Sequence, residues 1–168
     1  MYFPDTGEAL YELDQVLLRG ESPLSTAERE LIAAFVSRQN ECTFCTKSHA
    51  ASARYLYDSD HDIVDIALSD FRNSALSDKM KSLLTIAQCV CHDARKVSGE
   101  MIDLAHQAGA REREIHDTVL IAASFCMFNR YVDGLDTFTP TDIELYTQMG
   151  EHMSNHGYVI PLAVNSNI

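Results

Sequence analysis

Apolar side chains recur along this chain at intervals of three and four. Ala9, Leu10, Leu13, Val16 and Leu17 share one helical face and Gly20 ends the run, which predicts an N-terminal helix within residues 1–20. Leu24-Ser25-Thr26-Ala27-Glu28 reads as a hydrophobic staple and capping box, with Ser25 as the cap and Glu28 reaching back. The helix it opens runs to about Arg38. Leu31, Ile32, Ala33, Ala34, Phe35 and Val36 cover it nearly all round, which predicts deep burial. After a turn at Gln39-Asn40, a helix is expected over about 42–57 and a short one near 60–69. Ser77 caps the next, which extends to about Cys91 with Met80, Leu83, Leu84, Ala87 and Val90 inward. Ser98 or Gly99 opens another, to Gln107, and Gly109 stops it. Residues 111–134 form the longest periodic segment, and a last helix begins near Thr141, after Pro140, and ends about Met153. Residues 154–168 read as an irregular tail.

No alternating run of strand length appears, so the fold class is all-α. The 168 residues suit one domain, organised as an N-terminal helix (1–20), a core segment (about 24–92), C-terminal helices (about 98–153) and the tail. Leu76-Ser77 faintly echoes Leu24-Ser25, too slight a likeness to establish a repeat.

Charge narrows the partners. A formal charge of -12 repels phosphate backbones and anionic membrane surfaces, so neither nucleic acid nor a membrane is an expected partner. The start Met1-Tyr2-Phe3-Pro4-Asp5 lacks the basic and apolar pattern of a secretory leader. The longest nearly apolar stretch, Val119 to Phe128, falls far short of the about 18 residues a membrane span needs. The expected location is cytoplasmic. Five cysteines, an odd number, then argue against a structural disulfide framework and for redox or metal chemistry.

Cys42, Cys45 and His49 are the candidate chemistry. At about 100° per residue they fall within roughly 60° of one another on one helical stripe, which Ala53 and Leu56 continue toward the interior. A cysteine attacks as the thiolate, and Cys42 at a helix start is placed where the dipole favours an anion. His49, one turn from Cys45, can accept its proton directly or through a water. One sulfur can attack a peroxide and become a sulfenic acid, and its neighbour can condense with it. Two other readings fit the same spacing: a pair of small buried hydrophobes, or three ligands of a zinc site whose fourth would come from elsewhere. Glu30 sits in the buried helix among Ala27, Ala33 and Ala34, whose small side chains leave room beside the carboxylate. A histidine of the next helix would satisfy it; exposure to solvent is the alternative.

The remaining candidates read as structural. Cys89 and Cys91 are two apart and point to different sides of a helix, and Cys126 lies among Ala122, Ala123, Phe125 and Met127, so all three are expected to be core thiols. Arg130 and Asp133 are three apart and suit an ion pair on the helix. The other histidines show no ligand spacing.

Glu30, eleven residues, Cys42-x-x-Cys45, three residues and His49 together resemble the signature of the alkylhydroperoxidase D family, within the carboxymuconolactone decarboxylase-like superfamily. Phe3-Pro4-Asp5-Thr6-Gly7 and Phe128-Asn129-Arg130-Tyr131-Val132-Asp133 are similar to the subgroup known as peroxidase-related enzymes. The resemblance implies an all-helical domain assembled as homotrimers or homohexamers, with no metal and no cofactor. It implies that Cys45, the inner cysteine, is peroxidatic and that Cys42, nearer the surface, resolves the sulfenic acid. It further implies that His49, polarised by Glu30, moves the proton. The reductant would be a dithiol donor, a lipoyl-carrying protein or a thioredoxin-like one. Phe44 stands where alkylhydroperoxidase D proper has a second histidine, so one arm of that relay is absent.

The expected activity is reduction of hydrogen peroxide or an organic hydroperoxide through a Cys42–Cys45 disulfide cycle. The rival is a thiol redox sensor or general disulfide oxidoreductase acting on protein dithiols. A decarboxylase is a weaker third reading, since the lactone decarboxylases lack the cysteine pair.

Overall fold

A computed structural model describes residues 4–57 and 61–158. In these residues the secondary structure is helical throughout. The helices are α1 (Pro4–Arg19), α2 (Thr26–Gln39), α3 (Thr43–Tyr57), α4 (His61–Asp70), α5 (Asp78–Asp93), α6 (Gly99–Gln107), α7 (Glu112–Gly134) and α8 (Ile143–His156). Single 3₁₀ turns follow α4 and α5.

Polar side chains punctuate the chain. Ser25 accepts from the Glu28 amide at 3.2 Å while Glu28 Oε2 accepts from the Ser25 amide at 2.8 Å, closing the capping box. Ser77 caps α5 through the Met80 amide, Ser98 caps α6 through Met101, and Asp142 caps α8 through Glu144. That last cap sets α8 two residues later than the sequence pattern suggests. The helix also continues past Met153 to His156, so the irregular tail expected from residue 154 begins later. Residues 159–168 of that tail lie outside the described part of the chain.

Helix α2 is the axis of the molecule. Every residue from Arg29 to Ser37 is buried, because α3, α5, α7, α4 and α1 all pack against it. Leu31, Ile32, Phe35 and Val36 meet Leu83, Leu84 and Ile86 of α5 and Ile121 and Phe125 of α7 in one core. Each such side chain contributes about 1.5–3 kcal/mol by leaving water. Two charged residues are drawn into this apolar column. Arg29 Nη1 donates to the carbonyls of Leu17 at 3.0 Å and Gly20 at 2.8 Å, and Glu30 belongs to the site described next.

Helix α8 lies against α3. Gly150 makes the approach possible: a Cβ there would come within 2.5 Å of the Ala51 carbonyl carbon and 2.7 Å of the Ser52 amide. The Ser52 and Ser154 hydroxyls, 2.9 Å apart, join the two helices further along.

Candidate functional site

The end of α2 delivers the cysteines. Asn40 closes the helix, and Glu41 follows with φ 60, in the left-handed region. The Glu41 amide returns to the Arg38 carbonyl and the Cys42 amide to that of Ser37, both at 3.1 Å, which is a Schellman motif. Cys42 therefore stands directly before α3, and its carbonyl takes the Thr46 amide at 3.0 Å. The Cys42 sulfur also accepts the backbone N–H of Cys45. This is the helix-start environment expected of it.

Cys42 and Cys45 are side by side as free thiols joined by a hydrogen bond. Both are buried, Cys42 at 0% exposure and Cys45 at 5%, and Asp133 of α7 lies against Cys42. Burial raises the pKa of Cys42, and the thiol's hydrogen bond to Asp133 adds to the rise; together they outweigh the help from the Cys45 amide. Burial drives Cys45 further up, well above the ordinary thiol range, and the neighbouring Cys42 adds to this while Asn129 opposes it. Both sulfurs therefore rest as thiols, and making a thiolate needs a base.

Glu30 and His49 meet, so of the two readings left open for Glu30 the structure has the histidine partner rather than exposure to solvent. Glu30 is completely buried, and its Oε2 lies 2.8 Å from His49 Nδ1. Its Oε1 receives the Tyr158 hydroxyl at 2.7 Å and pairs with the Arg19 guanidinium at 2.7 Å. Burial alone would push this carboxyl up. The charge and hydrogen bond of His49, with Arg19 and Tyr158, win and hold it below the usual carboxylate range. An ionised Glu30 fixes the tautomer: Nδ1 carries the hydrogen, and Nε2 is the nitrogen that can take up a proton. The His49 ring is held edge-on against Phe125 at 4.6 Å. Among the described hydrogen bonds none joins His49 to Cys45; they share the α3 stripe one turn apart.

Several partners escaped the sequence reading. Tyr158 lies in the presumed tail, and only a glycine can bring it in: Gly157 has φ 71, and a Cβ there would collide with Gln15 Oε1. That same oxygen accepts the Tyr158 amide at 2.7 Å. Arg19, the last residue of α1, also donates to the Met153 carbonyl at 2.9 Å, tying α8 to the site. Asp14 lies close enough to feel both His49 and Glu30, and burial raises its carboxyl to about 7. Asn129 donates to Ser37 Oγ at 3.0 Å and accepts from Asn40 at 2.8 Å while touching Cys45.

The pair expected between Arg130 and Asp133 is replaced by other contacts: Arg130 donates to the Cys126 carbonyl at 2.6 Å and Asp133 faces Cys42. Cys89, Cys91 and Cys126 are half-buried rather than core, because α5 and α7 present them at the rim of the bundle. Phe44 packs against Tyr146, with ring centroids 6.3 Å apart. A cleft of about 330 Å³ borders the turn before α3, lined by Arg38, Glu41, Thr43, Thr46 and Lys47, and neither thiol lines it. Among the described residues no group of three or more histidines, cysteines and acidic residues is arranged to hold a metal ion. No described helix is long and apolar enough to cross a membrane.

Residues 4–70 match the model of the carboxymuconolactone decarboxylase family. Functionally curated proteins give no match. Among solved structures, the chain is similar to an uncharacterized peroxidase-related protein from Silicibacter sp. TM1040. Identity is 24% and the TM-score 0.79, covering 87% of this chain and 74% of that one. It is likewise similar to the alkylhydroperoxidase AhpD core of an uncharacterized peroxidase-related protein from Ralstonia eutropha JMP134. Identity is 21% and the TM-score 0.79, covering 89% of this chain and 76% of that one. At these identities the likeness is one of fold.

Proposed function

We propose, from the match of residues 4–70 to the carboxymuconolactone decarboxylase family model and the fold shared with AhpD-like structures, that this chain is a cysteine-based peroxidase for hydrogen peroxide or organic hydroperoxides. The supporting observation is the buried Glu30–His49 pair, 2.8 Å apart, with Cys45 one helical turn from His49 and hydrogen-bonded to Cys42. A base is needed because burial holds both thiols protonated, and a histidine polarised by an ionised carboxylate is a base.

In this reading His49 Nε2 takes the Cys45 proton, directly or through a water. Cys45 is the attacking sulfur because it lies one helical turn from His49, whereas Cys42 lies two. Its thiolate attacks the outer peroxide oxygen. The O–O bond breaks, an alcohol or water leaves with the proton from His49, and Cys45 becomes a sulfenic acid. Cys42 then attacks that sulfur, water departs, and a Cys42–Cys45 disulfide closes the half-reaction. A dithiol donor, lipoyl-carrying or thioredoxin-like, takes the two oxidising equivalents by exchange. Assembly as a homotrimer or homohexamer belongs to the same proposal. The apolar side chains of Leu135, Phe138 and Ile143, 62%, 80% and 76% exposed, suit a subunit contact.

The test follows thiol loss after one equivalent of peroxide, by alkylation and intact mass. Loss of two thiols and two hydrogens within seconds, absent in Cys45→Ser, is expected, and Cys42→Ser should leave a trappable sulfenic acid on Cys45. Glu30→Gln should slow the reaction and alter its pH profile. Thiols that survive excess peroxide yet exchange readily with a protein disulfide would instead identify a redox sensor or disulfide oxidoreductase.

A further inference from the structure

A second pair of thiols lies outside this machinery. Cys91 of α5 and Cys126 of α7 are neighbours across the helix interface. They are far apart in sequence and appear as unrelated thiols there.

One amide polarises both. Asn40 Oδ1 lies 3.1 Å from Cys91 Sγ, and Asn40 Nδ2 lies 3.5 Å from Cys126 Sγ. The amide's orientation is fixed independently, because Nδ2 also donates to Asn129 Oδ1 at 2.8 Å. Cys91 thus faces an acceptor oxygen and the Cys126 sulfur, and keeps its proton. Cys126 receives hydrogen bonds from Asn40 and the Arg130 side chain, whose positive charge lies beside it, while the single Cys91 S–H is directed to Asn40 Oδ1 next to the Cys126 sulfur. These contacts hold Cys126 well below the usual thiol range and Cys91 above it. Cys89, two residues away, contacts only the Asp93 carbonyl, at 3.7 Å, among the described hydrogen bonds. Both paired cysteines are half-buried, so a small oxidant can reach them.

We propose that Cys91 and Cys126 form a second redox-active site, in which Cys126 attacks a hydroperoxide and Cys91 closes a disulfide linking α5 to α7. The Cys126 thiolate takes the outer peroxide oxygen, the O–O bond breaks, and the remainder leaves as an alcohol or water after protonation. Cys126 is then a sulfenic acid. Cys91 attacks its sulfur and expels hydroxide, which leaves as water with the Cys91 proton. Two thiols lose two hydrogens and two electrons in all, and ROOH becomes ROH and water.

The experiment maps disulfides by proteolysis and mass spectrometry after one equivalent of hydrogen peroxide, in wild type and in Cys42→Ser/Cys45→Ser. The double variant separates this site from the first pair, and the wild-type map stands if the variant folds poorly. A Cys91–Cys126 cross-linked peptide is expected in both proteins. Cys91→Ser should yield a sulfenic acid trapped on Cys126, and dithiothreitol should reverse the bridge. Cys126 alkylation should change less than about threefold between pH 6 and 8, where an ordinary thiol gains up to about 100-fold. Absence of the cross-linked peptide while the Cys42–Cys45 pair oxidises would overturn the proposal. So would a Cys126 alkylation rate that climbs with pH like that of an ordinary thiol.

Discussion

The Tyr158 hydroxyl donates to Glu30 Oε1 at 2.7 Å, joining residues 128 apart in sequence at the floor of the site. The same hydroxyl lies 3.2 Å from His49 Nδ1. It therefore holds the carboxylate in the position that orients the imidazole. Tyr158→Phe removes one hydrogen bond to a buried charge without opening a cavity. A loss of about 1–3 kcal/mol is expected in urea unfolding. Peroxide consumption should slow and its pH profile should shift, since Glu30 loses one of the groups that keep it ionised. An unchanged profile with lowered stability would make Tyr158 a structural residue only.

Asp14 and Glu30 titrate in opposite senses. Glu30 is held below 4.5, so its contribution is present above that pH and is lost as pH falls through the folded value. Asp14 is raised from 3.8 to about 7, with a buried Oδ1 that has no hydrogen-bond partner. Between those two values the folded chain holds a proton that the unfolded chain has released, so stability falls as pH rises through the window. Asp14→Asn abolishes this slope. Relative to wild type, the variant should gain about 2 kcal/mol more at pH 8 than at pH 5, read from urea midpoints. Equal gains at both pH values would refute the raised Asp14.

Glu41 occupies a position made for glycine. Its φ of 60 lies where a side chain costs about 1 kcal/mol, and the Schellman turn that needs it also places Cys42. Glu41→Gly should stabilise the fold by up to about 1 kcal/mol, the gain being reduced by the added freedom of the unfolded chain. Thermal unfolding checks the sign, and alkylation of Cys42 checks that the turn is kept.

What the sequence could reveal follows from distance along the chain. The helices were legible because their spacing, caps and glycines are local, as the Ser25–Glu28 box illustrates. The Glu30–His49 contact was within reach because its two helices are adjacent and the motif has fixed spacing. Tyr158, Arg19 and Asp14 reach the same carboxylate from opposite ends of the chain, and no local periodicity encodes that convergence. That Asp133 of α7 faces Cys42 depends on how α7 packs, which the helical stripe of Cys42 and Cys45 does not contain. Cys91 and Cys126 look like unrelated thiols until α5 packs on α7.

Asp133 decides how easily the first pair ionises. Its carboxylate accepts a hydrogen bond from the Cys42 thiol and its charge opposes a thiolate on either cysteine. Asp133→Asn removes that opposition, so alkylation of Cys42 and Cys45 at pH 7 should accelerate several-fold. The same carboxylate is also the nearest acceptor for the proton Cys42 must lose when it attacks a sulfenic acid. These roles separate in one variant. If Asp133 only raises the thiol pKa, the sulfenic acid on Cys45 should disappear faster in Asp133→Asn than in wild type. If it takes the Cys42 proton, alkylation should still be faster but the sulfenic acid should persist longer. Rapid-quench trapping of that species, beside the alkylation rates, distinguishes the two.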